Sequence, residues 1–549
     1  MKKKLLPALI VTGLIILVVI IMGITALINK YTPTKKTEDL KEYFNISSDD
    51  EAALIVDNEL SDYKAKIIDK KIYVDYKFVH DSLNSRFYWD ANENVLLYTT
   101  ASDIISAAAD SNSYSVTKQT NDFGYPIVKA TSDSALIALD YVKQYSNITF
   151  KSYDDPARIV ITSKWDEIDS ATVSKSTQVR VKGGIKSPIL KEVKKDDKIT
   201  ILDSGDKWDK VATEDGVIGY IKRKALSESK KTKLTNPDYE EETFTHIKKD
   251  KDICLAWNQV TSQSANSKVP QVISSTKGIN VMSPTWFYLN DNNGNLADIA
   301  SKDYVSYCHS QGIEVWGLFS NLENTDVDAA YVLTHTSTRT TLINQIMSAA
   351  FNYELDGVNI DFENITEAAY GDSYIEFIRE LAIKCHNNGI SLSVDVTVPA
   401  SFNKFFNRSD MAKFADYIVI MGYDEHYKGS DAGSVSSIPW VTEGVESTLK
   451  EVPADQIILG MPFYTRIWEL TPKEDDDAVT DTEDQSKYTV ASQVYSMDAA
   501  AAQLATNNAT AALDEESGQN YAEWSASNKL YKVWLEDSTS LELSLIHIS

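Results

Sequence analysis

From about residue 249 onward, short apolar, β-branched runs alternate with stretches of helical period. The runs are ICLAWNQV (253–260), INVMSPTWF (279–287), IEVWGLFS (313–320), LDGVNIDFE (355–363), ISLSVDVTV (390–398), DYIVIMGYD (416–424), QIILGMPFY (456–464) and YKVWLED (531–537). Helical stretches such as TTLINQIMSAAFNYE and SYIEFIRELAIKCHNNG lie between them, the second closing on Gly389, a helix-stop residue. Near-continuous apolar strands separated by helices imply a parallel sheet buried on both faces. Eight such units predict an α/β fold, a (β/α)8 TIM barrel, in the C-terminal half, with chemistry at the C-terminal strand ends.

Polar side chains gather at those ends. In LDGVNIDFENI (355–365), Asn359, Asp361 and Glu363 alternate with Val358, Ile360 and Phe362. Period two places the polar set on one face of a strand and the apolar set on the other. Asp361 and Glu363 would lie roughly 6.6 Å apart along it. Burial and a neighbouring carboxylate both raise a carboxyl pKa, which is how a Glu becomes a general acid near neutral pH. Strand six ends in Met421, Tyr423 and Asp424. Strand seven carries Tyr464, Arg466 and Trp468, strand eight Trp534 and strand two Trp286. Acids mixed with aromatics suit a glycan-processing cleft. Core packing or a structural salt bridge is an equal reading for Tyr464, Arg466 and Trp468, and barrel filling for Trp257 and Trp286. Asp356 has the opposite strand parity and is expected to support the fold. His426 either tunes Asp424 or is a surface residue.

DGVNIDFE resembles the D-G-x-D-x-D-x-E signature of family 18 glycoside hydrolases, the chitinase-like enzymes. MGYDEHY resembles the family's M-x-Y-D element, LGMPFYTRIW its strand-seven element and YKVWLED its strand-eight tryptophan. The resemblance spans about 249–542 and leans toward bacterial spore-germination and cell-wall hydrolases. It implies that Glu363 protonates the glycosidic oxygen while the substrate's own N-acetyl carbonyl attacks C1. Asp361 would orient the acetamido group, with Tyr423 on its oxygen, making these three the catalytic residues. Asn359, Met421, Asp424, Tyr464, Arg466, Trp286 and Trp534 are the implied substrate-binding set, Trp534 as the floor under the reacting sugar. The substrate would be a 2-acetamido glycan, chitin-like or peptidoglycan, with no cofactor and no metal. One position departs: the family's middle Asp is Asn359, expected to hold Asp361 in place. A catalytically weak, glycan-binding barrel is the alternative reading.

Ahead of the barrel, MKKK precedes an uncharged run from Leu5 to Ile28. About 20 apolar residues cross a bilayer, and the lysines hold the N-terminus inside. Residues 1–30 therefore read as an uncleaved signal anchor, with a cleaved signal peptide as the other reading. The rest would lie outside a bacterial cell membrane. Residues 31–50 form a linker. Residues 51–165 resemble the small α/β module of copper-amine-oxidase N-terminal-like domains, without metal ligands. Residues 171–228 read as short strands separated by Gly/Asp/Lys turns and resemble a bacterial SH3 domain. Its Trp208 and Tyr220 are either core or a wall-binding surface. Residues 229–248 link it to the catalytic domain, 249–549.

The formal charge of −26 argues against nucleic acid as a partner. Three cysteines, Cys254, Cys308 and Cys385, cannot all pair with one another and read as buried free thiols. The acidic run 473–485 lacks the spacing of a calcium loop and reads as a solvated insertion. The last seven residues, LSLIHIS, resemble a translated DNA-library adapter, so 543–549 is expected to be artefactual and the natural chain to continue.

Overall fold

The computed structural model describes residues 5–363, 365, 370–473 and 484–548. The acidic run therefore lies mostly outside the described residues. The chain divides into two compact units. One holds 1–89, 107–114 and 120–241; the other holds 90–106, 115–119 and 242–549.

The first unit begins with a helix over Leu5–Tyr31, its apolar side chains exposed from Leu9 to Ile28. Residues 51–162 supply a seven-stranded sheet in which Glu51–Val56 pairs parallel with Arg158–Thr162 and its other pairs are antiparallel. Residues 167–233 supply a second seven-stranded sheet, antiparallel throughout. The two share buried contacts: Phe44, Ala53 and Ile55 pack with Val179, Val211 and Ile221. Trp208 and Tyr220 sit on neighbouring strands of the second sheet, half-buried.

The second unit is built on seven parallel strands in sequential order. They are β1 (Leu255–Asn258), β2 (Val281–Pro284), β3 (Glu314–Ser320), β4 (Gly357–Asp361), β5 (Ser391–Thr397), β6 (Tyr417–Met421) and β7 (Ile457–Gly460). Helices join them, among them α1 (Thr336–Tyr353) between β3 and β4 and α2 (Gly371–His386) between β4 and β5. β3 to β6 are buried almost without interruption, as strands covered on both faces must be. The sheet curls: a Cβ on Gly460 of β7 would stand 2.8 Å from the Trp257 indole of β1. Trp316 of β3 and Tyr417 of β6 likewise meet at 5.6 Å between ring centres.

Two expectations need correction here. The run 456–464 is not one strand. β7 ends at Gly460, and Tyr464–Pro472 leaves to start an antiparallel sheet with Tyr488–Ser496. The run 531–537 is not an eighth parallel strand among the described residues. Lys529–Leu535 pairs antiparallel with Tyr464–Pro472 and Gln519–Ala526. Nine-residue and eight-residue partners from the same insertion satisfy its backbone groups more locally than barrel closure would.

Candidate active site

The DG turn sets β4 in place. Asp356 accepts from the Val315 amide at 2.8 Å and pairs with His309 at 2.8 Å, tying the strand start to β3. Gly357 follows because the Trp316 ring lies where a side chain would begin, 2.6 Å from an added Cβ. Val358, Ile360 and Phe362 then enter the core against the helices. Phe362 stacks on Phe377 of α2 at 5.5 Å and 12°. The opposite face carries Asn359 and Asp361 inward, as alternation requires.

Asn359 is fully buried. Its Oδ1 accepts from the Trp257 indole N–H and from the Ser283 hydroxyl, each at 3.0 Å. Its Nδ2 donates to Ser393 Oγ at 3.0 Å and to Asp395 Oδ1 at 2.7 Å. An indole only donates, which fixes the orientation of the amide. The expectation that Asn359 meets substrate and holds Asp361 is corrected: its four partners are other residues, on β1, β2 and β5, and it has no surface for a sugar.

Asp361 is flanked by this hub, and its Oδ1 is buried without a partner among the described residues. Burial, then Glu363, then Glu323 push its carboxyl up to about 7. Glu363 stands at the exposed mouth. Desolvation in the cleft, then the charge of Asp424, raise its carboxyl above the usual range. Tyr423 is wedged edge-on between Trp257, at 6.3 Å, and Tyr464, at 6.2 Å. Desolvation, then Asp395, Asp361 and Glu363, push its phenol up, so it remains a donor.

Asp424 takes a left-handed backbone, φ 61°. Tyr464 donates to its Oδ1 at 2.8 Å and Arg466 approaches the same oxygen at 3.4 Å. These two residues thus position Asp424 from the antiparallel strand. Met421 closes β6, buried, and lines a cavity of about 190 Å³ with Glu363, Asp395, Phe402, Phe405 and Phe406. Phe402 is 79% exposed at its rim.

Trp286 does not reach this cleft, which corrects its assignment to substrate. It is fully buried, donates to Asn266 Oδ1 at 2.7 Å and packs edge-on to Tyr304 at 4.8 Å. Trp468 is equally buried and donates to the Gly433 carbonyl. Trp534 is half-buried, tilted on Tyr521 at 4.8 Å, with its carbonyl bonded to Thr465. His426 contacts its own loop through Asp431.

Asp395 is the group the sequence reading missed. It is 3% exposed, and burial, then Asp361, hold its carboxyl well above the ordinary value. Its signal was the alternation of Ser391, Ser393 and Asp395 with Leu392 and Val394, the same pattern that marked β4. Among the described residues no group of three or more His, Cys, Asp or Glu is arranged to hold a metal ion.

The arrangement offers a raised acid at the mouth, an inward carboxyl with an unused oxygen, and a tyrosine donor beside them. Residues 319–547 match the family model of glycosyl hydrolases family 18, a span that includes Asp361, Glu363, Tyr423 and Asp424. An uncharacterized glycosylase, YvbX, of Bacillus subtilis is 25% identical over 194 residues, 33% of this chain and 55% of that protein. The cortical fragment-lytic enzyme of Bacillus subtilis is 24% identical over 260 residues, 46% of this chain and 57% of that one. The chain thus spans little more than half the length of these curated relatives. The crystal structure of a chitinase from Chromobacterium violaceum aligns at TM-score 0.45 and 20% identity, covering 54% of this chain and 90% of that one. The match to glycosyl hydrolases family 18 lies wholly within the second compact unit of this chain.

Proposed function

We propose that the chain is a membrane-anchored hydrolase of β-linked glycans containing N-acetylglucosamine, acting outside the cell on peptidoglycan or chitin-like chains. The observation that carries this reading is the juxtaposition of Asp361, at the end of β4, and Glu363, just beyond it, with Tyr423 and Asp424 after β6. The seven curled parallel strands support its placement on the wall of a (β/α)8-type barrel. The apolar N-terminal helix supports the anchor. The first unit's sheets fit the copper-amine-oxidase-like and SH3-like modules, which would face the wall.

In the mechanism, protonated Glu363 gives its proton to the glycosidic oxygen as the C1–O bond breaks. The acetamido carbonyl oxygen forms a bond to C1 from the opposite face, so positive charge grows on the acetamido group. Asp361 accepts the acetamido N–H through its free oxygen and, ionised, stabilises that charge. The Tyr423 hydroxyl donates to the acetamido oxygen and aligns it. Water then opens the cyclic intermediate, Glu363 now taking the water's proton, with net retention. No enzymic nucleophile is needed, an exception to the two-carboxylate scheme.

The test incubates the full-length chain with purified peptidoglycan and with chitin oligomers and measures reducing ends. Glu363→Gln should lower release at least about 100-fold, as loss of a general acid does, while leaving glycan binding intact. Binding without release by the unsubstituted chain on every substrate would instead support a glycan-binding role, which the Asn359 departure favours.

A further inference from the structure

Resting on that reading, we propose that Asp395 is a positioning carboxyl for the reaction. Clamped by Asn359 and set beside Asp361 on the neighbouring strand, it replaces the carboxylate that Asn359 displaces from β4 and shares the site's buried proton.

The geometry comes from the register. β4 and β5 run parallel, with Asn359 opposite Ser393 and Ile360 opposite Val394. One step further brings Asp361 and Asp395 side by side, on strands about 4.8 Å apart. The Asn359 amide reaches from β4 to Asp395 Oδ1 at 2.7 Å. Its other end is held by Trp257 and Ser283. Asn359 can donate but cannot ionise, so it fixes Asp395 without adding a charge. Two buried carboxyls at this spacing cannot both ionise readily. A proton held by Asp395 leaves Asp361 free to be anionic when charge grows on the acetamido group.

The groups that act on Asp395 come from every neighbouring element. Asp361 acts on it from the end of β4, Glu363 from just beyond that end, and Trp257 from β1. The Tyr374 phenol of α2 and the Tyr423 phenol after β6 both feel its charge. Asp361, Glu363 and Asp395 therefore titrate together rather than singly. Removing one carboxyl should lower the pH at which the remaining two titrate, and adding one should raise it.

The experiment measures pH profiles of kcat/KM on chitin oligomers for four full-length chains: unsubstituted, Asp395→Asn, Asn359→Asp and the double swap. Asp395→Asn keeps the shape of the side chain and should move the profile to lower pH by at least about half a unit. Asn359→Asp should move it up. The double swap returns the carboxyl count to that of the unsubstituted chain and should bring the profile back. A purely structural role would lower kcat/KM without moving the profile. Superimposable profiles for Asp395→Asn and the unsubstituted chain would overturn the proposal. If Asp395→Asn does not fold, the double swap decides: a coincident profile supports the proposal and a displaced one overturns it. Glu363→Gln separates the two levels. Activity that survives it defeats the hydrolase reading, whereas its loss beside an unmoved Asp395→Asn profile defeats only this inference.

Discussion

Asp361 sits on the inward face of β4 with one oxygen unpartnered and its carboxyl pushed up to about 7 by burial and then by Glu363. An unfolded Asp ionises near 3.9. The folded chain therefore binds more protons than the unfolded chain between these two values, and stability falls as pH rises across that window. The penalty is absent below the unfolded value and complete above about 7. Asp361→Asn should then raise Tm by a few degrees at pH 8 and leave it unchanged at pH 4, while abolishing activity. Thermal unfolding at the two pH values checks this; equal Tm at pH 8 would count against a strained carboxyl. Asp361 and Glu363 were legible because alternation is a local signal, carried along β4 to Asp361 and continued two residues beyond the strand's end to Glu363. Asp395 carried the same signal in ISLSVDVTV, yet its meaning depends on Asn359, 36 residues away. That pairing is a matter of register between strands, which no single run displays.

At the scale of elements, the order of the seven parallel strands was readable because each is a short apolar run between helices. The failures share a physical cause: apolar runs continue past the point where a strand stops pairing. INVMSPTWF reads as one strand to Phe287, but β2 ends at Pro284, which has no N–H to give. Trp286 then turns into the core. QIILGMPFYTRIW reads on through Pro462, yet β7 ends at Gly460 and the chain resumes in a different sheet, from which Tyr464 and Arg466 reach Asp424. Close packing between elements also explains the glycine of the DG turn. Gly357→Ala would press a methyl into the Trp316 ring, which is itself fully buried. Overpacking of this kind costs about 1–3 kcal/mol, and displacement of β4 would move Asp361 and Glu363 together. We expect Gly357→Ala to lower both Tm and kcat. Combining it with Trp316→Leu should give a loss smaller than the sum of the two single losses, because the clash is relieved. Strict additivity in urea unfolding would show that the Trp316 contact is not what excludes a side chain at residue 357.

Across the whole molecule, composition and the N-terminal helix make opposite demands. A formal charge of −26 favours a well-solvated surface, whereas the helix exposes its apolar side chains to solvent from Leu9 to Ile28. At 1.5 Å per residue that helix is roughly 40 Å long, more than the roughly 30 Å of a bilayer's hydrocarbon core. Within residues 9–31, an 18-residue window has a mean hydropathy of 2.9. Insertion into a membrane, or removal by a signal peptidase, would reconcile the two. The lysines at positions 2–4 favour an inside N-terminus, which agrees with the external glycan substrate proposed for the distal unit. The chain expressed in a bacterial host should therefore sediment with membranes, resist extraction by high salt and alkali, and dissolve in detergent. A protease added to spheroplasts should digest the distal unit. Deleting residues 1–31 behind a cleavable secretion signal should move the chain to the soluble extracellular fraction. Its kcat/KM on soluble chitin oligomers should not change, because none of the residues that build the cleft belongs to the helix. An N-terminal sequence beginning beyond residue 31 in the full-length product would instead establish cleavage, and the membrane would then be a route rather than a location.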